Sequence, residues 1–167
     1  METYFRKATI KDRERIWAIL QQAIIRRREE GSQQWQDGYP NADVVRQDIE
    51  NDRGYVLMEN ESVVAYCAIS DDEPAYLAID GKWLTSGAFL VVHRVAVAGE
   101  YLGKGLAKAI FRHVEDLALK QGIPSIKVDT NFDNLAMIGI FEKLGYSYCG
   151  EVYFRGNARR AYEKVLS

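Results

Sequence analysis

The sequence predicts an α/β (α+β layered) domain with a mixed sheet. Two observations carry this reading. β-Branched runs and amphipathic stripes follow one another in the order β-α-α-β-β-β-α-β-α-β-β along 167 residues. No repeat, low-complexity tract or Pro/Gly/Ser linker interrupts them, so residues 1–167 are expected to form a single domain, long enough to enclose its own core.

The elements justify themselves in order. Thr3–Ala8 (TYFRKA) reads as a short strand, and Thr9 three residues before Asp12 is a capping-box start. Ile16, Trp17, Ile19, Leu20, Ala23 and Ile24 then form one helical face, ending in a charged run over 26–30 that reads as solvated. The loop SQQWQDGYPNA carries turn chemistry at Asp37-Gly38 and Tyr39-Pro40, and a short helix is expected through Val44–Ile49. YVLME and SVVAYCAI form a hairpin about Asn60-Glu61. The stretch from Asp71 to Gly87 is irregular, with a helical turn expected over Ala75–Ile79. FLVVHRVAV is β-branched almost throughout and reads as a central strand. Leu106, Ala107, Ile110, Phe111, Val114, Leu117 and Ala118 mark an amphipathic helix that ends near Gly122 and Pro124. SIKVDT is a strand. Met137, Ile140, Phe141 and Leu144 give the last helix, with Gly145 as its C′ residue. Two strands about a Gly156-Asn157 turn close the chain.

Composition removes several function classes. A formal net charge of −2 gives no electrostatic pull toward nucleic acid or an anionic membrane, and neither is expected as a partner. The two cysteines, Cys67 and Cys149, sit in apolar, strand-like text without metal-ligand spacing. They read as reduced core thiols, and no metal is expected. The N-terminus lacks an apolar signal core and no apolar run reaches transmembrane length, so the expected location is cytoplasmic.

Chemistry concentrates in VAVAGEYLGKGLAKAIF, residues 95–111. A strand, a tight glycine turn and a helix start leave the first helical amides unpaired and aimed outward. With the peptide dipoles they make a positive patch suited to phosphate or pyrophosphate, and Lys104 adds charge at its rim. An ordinary strand-to-helix turn is the competing reading. The stretch is neither a Walker loop nor the three-glycine dinucleotide fingerprint.

A second motif lies about thirty residues on: NFDNLAMIGIFEKLGY, residues 131–146. Together with the glycine loop and with Arg6, Ala8, Thr9 and Asp12 near the start, it resembles the GNAT superfamily of acetyl-CoA-dependent N-acetyltransferases. The resemblance covers nearly the whole chain. It implies a mostly antiparallel central sheet flanked by helices on both faces, and acetyl-CoA as co-substrate. By the same resemblance, Val95 and Val97 would offer backbone groups to the pantetheine arm. Backbone amides of Leu102, Gly103, Lys104, Gly105, Leu106 and Ala107 would hold the pyrophosphate, Asn134 would hydrogen-bond the arm, and Phe141 would flank the thioester. A strand amide near Val95 would polarise the acyl carbonyl. Two positions depart from the family pattern. Leu102 replaces the usual Gln/Arg, and Phe141 replaces a tyrosine thought to protonate the departing thiolate. Tyr146, Tyr148 or Tyr153 are other phenols near that point.

His93 precedes Val95 by two residues on the same strand, so their side chains share a face. An imidazole there suits the task of taking the proton of an attacking amine; a hydrogen-bonded structural histidine is the alternative. His113 reads as surface, and Arg94 as one half of a structural ion pair. Trp35 and Tyr39 are the candidate substrate residues, as aromatic walls for a cationic amine, and equally as pins for a long loop. Glu73, Tyr76 and Trp83 are candidates for a second wall. The function expected is acetyl transfer to an amine of a small molecule, peptide or protein, with a homodimer as the family's usual assembly. Two alternatives stay open: an acyl-CoA-binding module with little transfer activity, and a transferase for a longer acyl group.

Overall fold

The computed structural model describes residues 2–167: four α-helices and eight strands that pair mostly antiparallel. It resolves into two compact units, the first running to Ile69 and taking in Arg94–Phe111, the second formed by Ser70–His93 and Arg112–Ser167.

The first unit holds β1 (Tyr4–Lys7), α1 (Arg13–Glu29), α2 (Ala42–Glu50), β2 (Gly54–Glu59) and all but the last residue of β3 (Ser62–Ser70). It also holds the second half of β5 (Leu90–Val97) and the start of α3 (Leu106–Lys120). Its strands follow the order β1-β2-β3-β5. Asp12 starts the helical segment: Thr9 N–H donates to its Oδ2 at 2.7 Å and Arg6 pairs with it at 2.8 Å. Ile16, Ile19, Leu20 and Ala23 of α1 meet Val45 of α2, Val56 and Met58 of β2, Val63 and Tyr66 of β3, and Ala96 of β5 in one apolar core. The β2–β3 hairpin turns on Asn60 at φ 55°. Arg26 corrects the expectation of a solvated helix end. It is half-buried, donates to the Val97 carbonyl at 2.9 Å, and burial lowers its pKa.

The second unit holds a 3-10 turn at Pro74–Ala78, β4 (Asp80–Gly81), the first half of β5, the rest of α3, β6 (Ser125–Thr130), α4 (Leu135–Lys143), β7 (Ser147–Phe154) and β8 (Asn157–Val165). The strand order is β5-β6-β8-β7-β4, with β5–β6 parallel and the other pairs antiparallel. The two-residue β4 has no hydrophobic pattern and escaped the sequence reading. Its backbone presses on β7 so closely that a Cβ on Gly81 would lie 2.2 Å from the Cys149 carbonyl oxygen. The closing turn is Arg155-Gly156, both at positive φ, rather than Gly156-Asn157, because Asn157 already pairs with Phe154.

The irregular stretch before β5 is pinned by polar contacts. The fully buried Glu163 of β8 accepts from Leu84 N–H at 2.8 Å, from the Ser125 hydroxyl at 2.6 Å and from the Thr85 hydroxyl. Beside it Lys127 donates to the Thr85 carbonyl and lies 4.7 Å and 4.2 Å from the ring centres of Trp83 and Phe89. A buried carboxylate persists only with such a full set of donors.

Candidate functional site

β5 leads into the glycine loop. Its end is latched to α1: Arg26 holds the Val97 carbonyl, and Gly99 N–H donates to Gln22 Oε1 at 2.8 Å. Ala98 N–H donates to the Val64 carbonyl at 2.9 Å, and a 3-10 turn over Gly99–Tyr101 carries the chain to Leu102. Gly103 and Gly105 have φ of +78° and +74°, and a Cβ on either would meet nothing within 4 Å. The glycines are therefore demanded by left-handed backbone rather than by close packing. Ala109 N–H makes the first intrahelical bond, to the Gly105 carbonyl at 3.1 Å, so the amides of Leu106, Ala107 and Lys108 precede it. Leu102, Gly103, Lys104 and Gly105 are exposed, and the Lys104 ammonium lies 5.3 Å from the Tyr101 ring centre. The donor set fits a diphosphate: backbone amides at the positive end of a 15-residue helix, with an ammonium beside them.

His93 belongs to the first half of β5 and to the second unit. Its Nε2 lies 2.7 Å from Glu73 Oε1, and both side chains are about four-fifths buried, at 20% and 18% exposure. The His93 ring packs edge-on to Phe154, centres 6.0 Å apart, and tilted against Tyr76 at 6.3 Å. Tyr76 is itself buried; its hydroxyl donates to Asp129 Oδ2 at 2.6 Å, and burial together with Asp129 keeps that phenol protonated. Asp129 also faces Arg159 at 3.7 Å. Trp83 donates through Nε1 to the Tyr76 carbonyl at 2.9 Å. The pairing of His93 with Glu73 had no sequence signal, because the two lie twenty residues apart across an irregular stretch.

Arg94, the next residue, turns to a different environment. It has φ 56°, a left-handed conformation inside a strand, and a bidentate pair to Asp48 of α2 at 2.9 and 2.6 Å. Tyr66 donates to the same carboxylate at 2.6 Å, and Tyr39 accepts from Arg94 Nη1. Burial pulls the guanidinium pKa down, but Asp48 and Tyr39 more than restore it, leaving it above its ordinary value. The expected structural ion pair is present. Trp35 packs on the apolar core of the first unit, so both candidate substrate residues tie the 31–41 loop down.

In the second unit Asn134 caps α4, its Oδ1 accepting from Met137 N–H at 3.2 Å. Phe141 is buried at 2% exposure, with ring centres 5.7 Å from Tyr146 and 5.1 Å from Tyr162. Burial raises the Tyr146 phenol, whereas Tyr148 and Tyr153 are exposed. His113 is half-buried on α3, less open than its surface reading suggests. Cys67 and Cys149 are both buried, free thiols, the former pushed well up by burial. Among the described residues no group of three or more His, Cys, Asp or Glu is arranged to hold a metal, and no helix is long and apolar enough to cross a membrane.

The model of the Acetyltransferase (GNAT) family matches residues 17–146. A GNAT-family acetyltransferase from Streptococcus agalactiae 2603 is 34% identical, with a TM-score of 0.90 over 99% of this chain and 96% of that one. Human N-acetyltransferase 8B is 31% identical over 83 residues, which is 50% of this chain and 36% of that protein, so the match spans about a third of its length. The structure of yncA from Salmonella typhimurium with its cofactor acetyl-CoA shares the fold, with a TM-score of 0.69 at 17% identity over 99% of this chain and 94% of that one.

Proposed function

The chain belongs to the GNAT family of acetyltransferases, and from that premise we propose that it transfers the acetyl group of acetyl-CoA directly to an amine of a small molecule, peptide or protein. The observation that carries the proposal is the join of β5 to α3. Two left-handed glycines there turn the amides of Leu106, Ala107 and Lys108 out of the helix end. In this reading the backbone from Leu102 to Ala107 holds the pyrophosphate, with Lys104 at its rim. Val95 and Val97 present their peptide groups to the pantetheine arm. Arg26 and Gln22 keep that strand end and the first loop amide in place. Asn134 contributes to holding the arm, and Phe141 is an apolar flank for the thioester.

Acetyl-CoA supplies an acyl group already activated toward attack, so the chain's task is to orient an amine and receive its proton. His93 is the proton acceptor in this reading, and the Val95 amide the donor that polarises the carbonyl. Trp35 and Tyr39 are the aromatic side of the acceptor site; a loop tied down by Arg94 keeps such a wall in one position. With a thiol as leaving group, catalysis proceeds without a tyrosine at position 141: unperturbed thiol pKa values lie at about 8.5, close to neutrality. The buried free thiols support a reducing, cytoplasmic location, and the family resemblance supports a homodimer.

Calorimetry with acetyl-CoA tests the loop assignment. The wild-type chain is expected to bind it saturably. Gly105→Val, which forces a β-branched residue into φ +74°, is expected to bind at least about tenfold more weakly. Equal affinity in the variant contradicts the assignment.

A further inference from the structure

Glu73 is an acidic residue in a stretch with no recognisable motif, yet the fold holds it with unusual definition. It sits at the N-cap of the 3-10 turn over Pro74–Ala78, where Oε2 accepts from Ala75 N–H at 3.4 Å and its carbonyl accepts from Tyr76 N–H at 3.0 Å. Pro74 at the first position of that turn fixes the chain direction. Tyr76, two residues on, anchors the turn in the core by its bond to Asp129. The other oxygen, Oε1, lies 2.7 Å from His93 Nε2. Packing of the imidazole against Phe154 and Tyr76 restricts the ring that receives this contact.

Two further charged groups near the pair, Asp129 and Arg159, have partners of their own. Asp129 of β6 accepts from Tyr76 and faces Arg159 of β8, whose guanidinium lies over the Phe154 ring at 5.3 Å. Of these carboxylates, Glu73 is the one bound to the imidazole. A carboxylate accepts only, so the contact requires the proton on Nε2, and in the neutral ring Nδ1 is then the bare nitrogen.

We propose that Glu73 is a positioning residue for the acetyl transfer: it fixes His93 as the Nε2–H tautomer, aims Nδ1 for proton uptake, and faces the positive charge that then forms on the ring. This rests on the reading of His93 as proton acceptor. As the amine nitrogen bonds to the acetyl carbon, the carbon–sulfur bond breaks and its electron pair leaves with the CoA thiolate. The proton released by the nitrogen goes to Nδ1.

Two readouts test it, one of them independent of turnover. The chain has two histidines, so the nitrogen NMR signals of His93 are identified by their loss in His93→Ala. The wild-type spectrum is expected to show a single Nε2–H tautomer at His93, Glu73→Ala a mixture, and Glu73→Gln, which keeps an acceptor oxygen, the wild-type tautomer. A wild-type pattern in Glu73→Ala overturns the proposal. In turnover, measured with acetyl-CoA and the best acceptor from a panel of primary amines, Glu73→Ala is expected to lower kcat about 10- to 100-fold, and no further than His93→Ala. Glu73→Gln is expected to recover part of that loss, with the KM for acetyl-CoA unchanged. In the His93→Ala background, Glu73→Ala is expected to change kcat less than about twofold, since its effect runs through the imidazole. An equal loss in both backgrounds makes Glu73 structural and overturns the proposal. Full turnover in His93→Ala overturns the underlying reading instead, a failure recognisable because the tautomer is read without substrate.

Discussion

His93 and Arg94 are neighbours on one strand, and each pairs with a carboxylate, but the two pairs differ in geometry and exposure. Arg94 meets Asp48 through two hydrogen bonds at side-chain exposures of 12% and 5%, with Tyr66 and Tyr39 completing the set. His93 meets Glu73 through one contact, at exposures of 20% and 18%. A guanidinium keeps its charge at any physiological pH, so the first pair stores no change of state. The second pair engages one ring nitrogen of the imidazole, and in the proposed function the other takes up the amine proton. The closed pair is a tie, holding a left-handed residue, a helix and a loop together; the more open pair is the one proposed to carry chemistry.

The largest effect is expected on breaking the tie. Asp48→Ala leaves a buried guanidinium without its carboxylate and is expected to cost about 3–5 kcal/mol of unfolding free energy, read by urea titration. A loss below about 1 kcal/mol erases the contrast between the pairs. His93→Ala reverses the pattern, with kcat down about 10²–10⁴-fold and the urea midpoint near wild type. A variant that loses stability and keeps its rate makes His93 a structural residue. Tyr39→Phe sharpens the comparison, because that hydroxyl serves the tie while its ring is proposed as a substrate wall. Removing one bond to a charged group is expected to cost about 1–2 kcal/mol and, because the ring remains, to leave KM for the amine within about twofold; wild-type stability removes Tyr39 from the tie.

The smallest effect belongs to a third pair, whose cation is the most exposed of the three. The hydrogen bond from Arg6 holds the Asp12 carboxyl below its ordinary value. A depressed carboxylate contributes stability above the unfolded-state value of about 4 and loses it as pH falls through the lower folded value. Asp12→Asn is therefore expected to flatten the decline of stability below about pH 4, measured as urea midpoints at successive pH values. An unchanged slope shows that the pair carries no linkage.

What the sequence revealed follows from how local each feature is. The glycine loop was legible because positive φ calls for glycine at two nearby positions, and Thr9 with Asp12 because a capping box spans four residues. The longer strands and helices were legible through their periodicity. Arg94 needed a partner on general grounds of burial, but nothing local named Asp48. Glu73 and Glu163 were invisible as partners: their contacts cross an irregular segment whose path is set by tertiary bonds such as Leu84 N–H to Glu163. The same non-local origin hid β4, two residues defined by backbone fit against β7. Arg26 misled for the opposite reason, since its charged run looks solvated while one of its arginines reaches back to β5.

The account is tested most directly by thiol release from acetyl-CoA, followed with and without each member of a diverse panel of primary amines. It predicts that at least one amine raises the rate well above hydrolysis alone, that the amine is recovered acetylated, and that His93→Ala abolishes the increase. Saturable acetyl-CoA binding with a rate indifferent to every amine contradicts it, and leaves the chain an acyl-CoA-binding module.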